Sequence, residues 1–356
     1  MARILNADDL EAAMIAGLFL SAGGSGRKAV ERQRRLGRMA LDYGGGVQFA
    51  TLDELDPDDI IITATGVGAP GGGAPVISPR DSVESARALL PYLPKPPAGV
   101  ICGHVPGFNA WLVAAALGIK YVDAASNGRG HPTVMMGGMG LASRPDISIT
   151  QVGMGGSAAD GSRLSVIATG NISLTEKVLR QAATLNNGLV LATRGPLTAG
   201  FVRENGAAGA ITFQLELGRA MLAASGPARV EATAKFLKGE VLVSGEVVSN
   251  TVKYGNGFDL GEMVVRDAKG EVTLGVYNEF MTADVGEKRV ATFPDMLGTL
   301  DPETGDPVAI SELKAGDRTA VVMSHRSNFP VGKGALDPAV FPEVEDVMGV
   351  DLRSYL

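Results

Sequence analysis

The sequence is poor in cysteine, histidine and aromatic residues, and these scarcities exclude several classes of protein. Cys102 is the only cysteine, so no disulfide can form within the chain, which is typical of a reducing compartment. No apolar run approaches the roughly 20 residues that a membrane-spanning helix needs. Acidic residues precede the first apolar stretch, and this does not fit a signal peptide. We therefore expect a cytoplasmic protein with no membrane partner.

Basic residues are not in excess. The chain has 32 Lys and Arg residues against 39 Asp and Glu residues, a net charge of −7, and only 5% aromatic residues. An acidic chain without an aromatic-rich basic surface is a poor candidate for binding nucleic acid. Basic residues do cluster between Arg27 and Arg38, and such a run is typical of the solvated face of a helix.

Length and composition indicate two well-packed domains. The chain has 356 residues, which is more than one hydrophobic core usually supports, and 45% of them are hydrophobic against 20% charged. We predict an α/β domain over residues 1–165 and an α+β domain over residues 166–356.

The first domain contains a clear β-α-β pattern. Residues Gly99–Cys102 predict a strand, Phe108–Leu117 a helix that stops at Gly118, and Ile119–Val122 a second strand. A right-handed crossover makes the two strands parallel, so both carboxyl ends open onto the edge where α/β sheets bind ligands.

The second domain changes character along its length. Residues Ala220–Leu237 predict one helix, and from about residue 240 short strands alternate with regular turns. The predicted fold class is therefore an α/β N-terminal domain with parallel strands, followed by a β-rich α+β C-terminal domain.

Two glycine-rich loops are candidates for ligand contact. Gly24 and Ser25 precede a helix, where free N–H groups can hold an anionic group, although a simple helix cap is the alternative. This loop follows a helix rather than a strand and lacks the P-loop lysine, so we expect neither NAD nor ATP. The loop Gly66–Pro79 is typical either of a segment that covers a site or of an ordinary surface loop.

The three histidines, His104, His131 and His325, lie beside glycine, proline or polar residues rather than in apolar segments. Cys102 and His104 leave the first parallel strand two residues apart, and the crossover brings Asp123 and His131 to the same edge. Thiolate, imidazole and carboxylate are ligands of zinc. The spacing matches no established metal motif, so hydrogen-bonding histidines and a buried inert cysteine are the alternative.

The segment from Asp123 to Pro132 concentrates polar groups. Asn127, Arg129 and His131 follow Asp123 within this segment, and its glycines allow the backbone to approach a ligand closely. The guanidinium of Arg129 suits a carboxylate or a ring amide. An ion pair between Asp123 and Arg129 that braces the loop is the structural alternative.

In the β-rich half, carboxylates stand beside strand ends. Asn278-Glu279 and Asp295 are such positions, and Glu279 is a candidate general base. Exposed acidic residues in turns are the alternative. His325 follows the apolar strand Ala320–Met323.

These segments resemble the S-methyl thiohydantoin desulfurase family over nearly the whole chain. The likeness rests on Gly17–Gly24, on Gly66–Pro70, on Asp123 with Gly128–Pro132, and on Asn278-Glu279 followed by Pro294-Asp295. The resemblance implies an enzyme that acts on a hydantoin-like ring. His104 stands where the family usually has an acidic residue and His131 where an aromatic is usual, and His325 is a further departure. We expect the three imidazoles to act together.

The resulting hypothesis is a hydrolase that releases sulfide or a thiol from a thiohydantoin-type ring. A divalent metal, zinc, is predicted to activate water and to be held by His104, His131, His325 and Cys102. The predicted catalytic residues are Asp123, Glu279 and His131, and the predicted substrate-binding residues are Asn127, Arg129, Gly24, Ser25 and Asn278. The alternatives are a metal-free amidohydrolase that opens a cyclic amide and a non-catalytic subunit of a hydantoinase-like assembly. We also expect a homo-oligomer and a small-molecule substrate.

Overall fold

The computed structural model describes residues 3–69, 73–255 and 257–356. The helices in this part of the chain are α1 (Ala7–Leu20), α2 (Val30–Leu41), α3 (Pro79–Leu89), α4 (Phe108–Leu117), α5 (Ile172–Leu185), α6 (Ala199–Asn205), α7 (Ala210–Leu222), α8 (Pro227–Phe236) and α9 (Phe341–Met348). The strands are β1 (Arg3–Ile4), β2 (Gln48–Ala50), β3 (Ile60–Gly68), β4 (Gly99–Cys102), β5 (Lys120–Ala125), β6 (Ile149–Gly155), β7 (Leu164–Gly170), β8 (Leu189–Thr198), β9 (Ala207–Ala208), β10 (Glu240–Asn250), β11 (Lys253–Gly255), β12 (Phe258–Asp267), β13 (Gly270–Tyr277), β14 (Glu279–Val285), β15 (Lys288–Thr292), β16 (Met296–Leu300) and β17 (Arg318–Ser324).

The N-terminal half is built on a mixed sheet, sheet A. Its strand order is β1-β2-β5-β4-β3-β8-β6-β7, with β9 paired to β5. The strands β2, β5, β4 and β3 are parallel neighbours, while β8, β6 and β7 continue the sheet antiparallel. The predicted α/β fold with parallel strands is confirmed, and the unit β4-α4-β5 has the predicted elements.

The C-terminal half is built on an antiparallel sheet, sheet B. Its strand order is β15-β14-β13-β12-β10-β17-β16, with β11 paired to β12. This confirms the predicted β-rich architecture from about residue 240. The predicted boundary at residue 165 falls within β7, and sheet A continues to β9.

The prediction of one helix over Ala220–Leu237 is wrong. Helix α7 ends at Leu222 and α8 starts afresh at Pro227. Gly226 has a φ of 57°, which side chains rarely adopt, and Pro227 occupies a first-turn position where its missing N–H costs nothing. These two residues break the helical pattern.

Helix α1 links the helices of the N-terminal half to sheet B. Asn6 caps its start by accepting a hydrogen bond from the Asp9 backbone N–H, and apolar side chains occupy almost every later position. A helix that is apolar all round is buried, and α1 packs against both α7 and β16. Its carboxyl end therefore delivers the loop at Gly24 to the junction of the two halves. Among the described residues, we find no helix with the length and hydrophobicity that crossing a bilayer requires.

Candidate functional site

A cavity of about 650 Å³ lies at the junction of the two halves. The carboxyl ends of β3 and β4, the loop that follows α1, and the turn between β13 and β14 contribute to its walls. Five predicted site residues line it together, namely Gly24, Ser25, His104, His131 and Glu279. The crossover argument from sequence accounts for the two histidines, because each follows one of the adjacent parallel strands β4 and β5.

His104 and His131 face each other in this cavity. Their ring centroids are 5.5 Å apart and the rings meet edge to face. Burial lowers the pKa of His104 to about 4, and the Arg194 charge acts in the same direction. Burial, with His104 and Arg194 as further causes, lowers the pKa of His131 to about 3. Both imidazoles are therefore neutral near pH 7.

The tautomer of His131 follows from its contacts. Its Nδ1 lies 2.9 Å from the Thr133 carbonyl oxygen and its Nε2 lies 3.5 Å from that of Gly103; because carbonyl oxygens only accept, we assign the proton to Nδ1, which has the shorter contact. The lone pair is then on Nε2. Gly137 packs against this edge of the ring, where an added Cβ would lie 2.4 Å from Nε2. His104 Nδ1 is buried and has no hydrogen-bond partner among the described residues.

Within the described residues, Glu279 is the only acidic residue of the β-rich half that lines the cavity. Asn278 forms the turn between β13 and β14 with a φ of 60°, and Glu279 follows it. Gly24 and Gly130 allow close approach, since an added Cβ would lie 3.2 Å from Glu279 Oε1 at Gly24 and 3.0 Å from its Cγ at Gly130. The Oε2 atom is buried without a partner among the described residues.

The environment of Glu279 favours the protonated carboxyl. Burial raises its pKa to about 8, and the charges of Arg129 and Arg180 only partly oppose that effect. The charge of Asp259 raises it further. A carboxyl group with a pKa near 8 can exchange protons at neutral pH, as general acids and bases must.

Four arginines of the described residues line the cavity and none is among the predicted site residues; two of them, Arg194 and Arg180, belong to the sheet A half beyond α2. Arg194 lies in β8 and Arg180 in α5, and both line the cavity. A signal for Arg194 exists in the sequence, because it follows the apolar run Leu189–Thr193, and charged residues are rarely buried without a purpose. Arg180 lies on an amphipathic helix and gives no comparable signal.

The basic cluster between Arg27 and Arg38 divides between two surroundings. Arg32 and Arg35 line the cavity, whereas Arg34 pairs with Glu11 and Glu31. Arg32 and Arg35 are both exposed on α2. These two side chains are exposed, as expected for the solvated face of a helix. Part of that face also borders the cavity.

The loop Gly66–Pro79 borders the cavity at both of its ends. Gly66 and Gly68 at the end of β3 line it, as do Gly73 and Ser78 further along. The middle of the predicted covering segment, residues 70–72, lies outside the described residues.

Asp123, a predicted catalytic residue, does not line the cavity. Its Oδ1 accepts hydrogen bonds from the backbone N–H groups of Ile211 and Thr212, at 3.0 and 2.9 Å, and its Oδ2 accepts one from Thr212 Oγ1 at 2.6 Å. The carboxylate thus caps the start of α7. It does not form the alternative ion pair with Arg129 either, because Arg129 donates to backbone carbonyls.

Arg129 and Asn127, predicted to bind substrate, hold the two halves together. Arg129 is fully buried and donates to the carbonyl oxygens of Gly130, Phe280 and Asp295. Asn127 accepts hydrogen bonds from the backbone N–H groups of Gly128 and Gly332. Neither side chain lines the large cavity.

Asn278 lies beside the site rather than in its wall. Its Oδ1 accepts from the Asp259 N–H at 2.8 Å, and its Nδ2 donates to the Pro132 carbonyl at 3.3 Å. These bonds fix the turn that presents Glu279. Asn278 therefore positions Glu279. Asn278 also borders a separate, smaller cavity of about 350 Å³.

The predicted four-ligand metal set does not assemble. The side chain of His325 is 59% exposed, and its Nδ1 lies 2.8 Å from Ser327 Oγ, outside the cavity. Burial raises the pKa of Cys102 to about 12, so its sulfur is a thiol, and it accepts a hydrogen bond from Tyr121. Across residues 3–69, 73–255 and 257–356, no three His, Cys, Asp or Glu side chains are arranged to hold a metal ion.

Comparisons with known proteins agree with this architecture. A crystal structure of a protein from Chromobacterium violaceum has the same fold, with a TM-score of 0.69 and 20% identity, over 97% of this chain and 96% of that one. No curated protein matches the chain. Residues 8–158 match the model of the S-Me-THD-like N-terminal domain, and residues 170–336 match that of the S-Me-THD-like C-terminal domain. The chain therefore belongs to the S-Me-THD-like family.

Proposed function

We propose that the protein is a hydrolase that releases sulfide or a thiol from a thiohydantoin-type ring bound in the large cavity. Membership of the S-Me-THD-like family supports the thiohydantoin-related part of this proposal. The observation that carries the hydrolytic part is the buried carboxyl of Glu279, whose pKa is raised to about 8 in the cavity wall.

The pKa values decide which group acts as the base. Glu279 has a pKa of about 8, whereas those of His104 and His131 are about 4 and 3. The carboxylate is therefore the strongest base of the three. Roughly a tenth of it is ionised at pH 7, and this fraction rises with pH. Proton transfer is most efficient when the pKa lies near the working pH.

In the proposed reaction, Glu279 carries every proton that is transferred. For an S-alkyl ring, ionised Glu279 takes a proton from water, and the hydroxide forms a bond to the ring carbon that bears sulfur. Glu279 returns that proton to the ring nitrogen that received the electron pair. It then takes the hydroxyl proton as the carbon–oxygen double bond forms and the carbon–sulfur bond breaks. The electron pair leaves on sulfur, and Glu279 delivers the second proton to it, which yields a thiol and a hydantoin.

The two neutral imidazoles orient the ring in this proposal. The Nε2 lone pair of His131 accepts a hydrogen bond from a ring N–H, since its Nδ1 proton is bound to Thr133. His104 stands against His131 and contributes a second polar edge. Neutral imidazoles are suited to this role because they supply a donor and an acceptor without adding charge beside Arg194.

The test is thiol release from an S-methyl thiohydantoin by the purified chain. Glu279→Gln keeps the shape of the side chain but removes its ionisable carboxyl group, so kcat should fall about 10²- to 10⁴-fold. In the wild type, kcat/KM should rise with pH and level off above about pH 8, the pKa of Glu279. Glu287→Gln, in the exposed turn between β14 and β15, is the matched control and should retain full activity. Wild-type protein that releases no thiol would refute the proposal.

The oxygen analogue of the same ring separates the alternative functions. Desulfuration predicts thiol release and an intact ring, whereas an amidohydrolase would open the ring of the oxygen analogue. A non-catalytic subunit would do neither in isolation and would copurify with partner chains.

A further inference from the structure

Arg194 occupies an unusual position for a charged side chain. It lies in β8 at the middle of sheet A, where it pairs with Thr63 of β3 and Gln151 of β6. It is only 3% exposed, and yet it lines the large cavity. A buried cation needs compensation, because transfer of an ion from water into a protein interior is costly.

The described residues accept hydrogen bonds from only some of the N–H donors of the Arg194 guanidinium. Its Nη2 donates to Ser126 Oγ at 3.1 Å and to the Gly137 carbonyl at 2.7 Å. An arginine carries five N–H donors, and within the described chain its Nε and Nη1 groups form no hydrogen bond. No carboxylate among the described residues forms an ion pair with it.

Arg180 provides the contrast in the same cavity wall. Its Nη1 donates to the carbonyls of Gly68 and Gly257, and its Nη2 donates to that of Pro132. It also lies over the Phe258 ring, 4.3 Å from the centroid, and 3.7 Å from Glu176. Both Nη groups of Arg180 thus donate to protein carbonyls, and only its buried Nε lacks a partner among the described residues, whereas Arg194 retains Nε and Nη1 for a ligand.

The neighbours of Arg194 compensate its charge only in part: the charge of Glu176 raises the pKa of Arg194, but within the described residues the two side chains form no ion pair. His104 and His131 are neutral, and Glu176 is bound to the Val134 and Met135 N–H groups. Burial lowers the pKa of Arg194 to about 10, so it remains a cation at neutral pH. The buried end of the cavity therefore favours an anion.

Resting on the function proposed above, we propose that Arg194 is a catalytic residue that binds the departing sulfur as a thiolate. When the carbon–sulfur bond breaks, its electron pair moves to sulfur, and this is the negative charge that develops during the reaction. Preorganised donors aimed at developing charge are an effective means of stabilising a transition state. Arg194 also holds Gly137, which packs against the His131 ring, so the sulfur would lie beside the imidazole that orients the ring.

A leaving-group series tests this role. The S-methyl ring expels a weakly acidic alkyl thiol, and its S-(4-nitrophenyl) counterpart expels a strongly acidic aromatic thiol that needs less stabilisation. Arg194→Met should slow release of the alkyl thiol about 100-fold or more, but release of the aromatic thiol less than about 10-fold. The matched control is Arg180→Met, which should lower both rates by the same factor. An equal loss for both thiols in Arg194→Met would overturn the assignment.

A wild-type measurement covers the case in which Arg194→Met does not fold. The 4-nitrothiophenolate ion should inhibit the wild-type enzyme at least about tenfold more strongly than its uncharged S-methyl derivative, because a buried unpaired cation favours the anion. Equal inhibition by the two compounds would overturn the assignment. Failure of the proposed function is distinguishable from both results, since the wild type would then release no thiol from either substrate.

Discussion

At the residue scale, burial and charge oppose each other at Glu279. The guanidinium groups of Arg129 and Arg180 lower the pKa of Glu279, but burial outweighs them and raises it from 4.5 to about 8. The fold therefore binds this proton more tightly than the unfolded chain does. Stability must fall as pH rises between these two values and level off above the higher one.

Glu279→Gln should remove this loss of stability. We expect the free energy of unfolding of the variant to exceed that of the wild type by an amount that grows from about pH 5 to pH 8, and then stays constant at a few kcal/mol. The lowered pKa values of His104 and His131 destabilise both proteins below pH 6.5, so they cancel in the comparison. Urea unfolding at several pH values measures the difference. A difference independent of pH would contradict the inferred pKa.

Gly137 is the residue whose lack of a side chain the site requires. An added Cβ would lie 2.3 Å from Cε1 of His131 and 2.4 Å from its Nε2. Gly137→Ala should displace the imidazole and lower kcat/KM about tenfold or more, with a stability loss of about 1–3 kcal/mol. Gly44→Ala is the matched control, because no atom of the described residues lies within 4 Å of its added Cβ. Equal activity of the two variants in the thiol-release assay would contradict the placement of His131.

At the element scale, the side chain of Asp123 in β5 stabilises the start of α7. The loop after this strand leads to His131 in the cavity, while the Asp123 carboxylate caps α7. The sequence pattern predicts a catalytic role for this acid. It does not reveal that the acid faces the start of a helix almost 90 residues later.

Asp123→Ala should therefore act on stability. Removing the acceptor of two backbone N–H groups and one hydroxyl should lower the free energy of unfolding by about 1–3 kcal/mol. At temperatures where the variant stays folded, kcat should change less than about threefold, because the carboxylate does not line the cavity. Asp58→Ala at an exposed position is the control for both measurements. A large loss of kcat with unchanged stability would restore the catalytic role predicted from sequence.

The hairpin β13–β14 is the element that completes the site. Alternating residues and a turn at Asn278 are visible in the sequence, so the hairpin itself was predictable in kind. The surface on which the hairpin docks was not predictable, because its turn is held by the Pro132 carbonyl of the other half and by Asp259. Local patterns carry no information about which distant surface a turn will contact.

At the scale of the whole molecule, the site exists only because two halves meet. His104 and His131 come from the edge of sheet A, and Glu279 comes from sheet B. Arg129 fastens this junction through the Phe280 and Asp295 carbonyls, and its guanidinium lies 4.9 Å from the centre of the Phe293 ring. The predicted homo-oligomer stays a prediction at this scale.

His325 tests the global arrangement. It follows β17 on the surface, hydrogen-bonded to Ser327, and does not reach the other two histidines. His325→Ala should leave kcat/KM within about twofold of wild type, because exposed side chains away from the site contribute little. His131→Ala is the comparison and should lose most activity. A large loss in His325→Ala would mean that the three imidazoles act together after all.

The sequence by itself determined the elements that depend on neighbouring residues. These include the β4-α4-β5 unit, the β-rich second half, and the caps and turns. Such features arise from periodicity, backbone freedom and capping, which act over a few residues. Only the tertiary structure decided which side chains in those segments face the cavity. Asp123, Arg129 and Arg194 owe their roles to partners far along the chain, because burial and charge pairing are settled when the two sheets pack together.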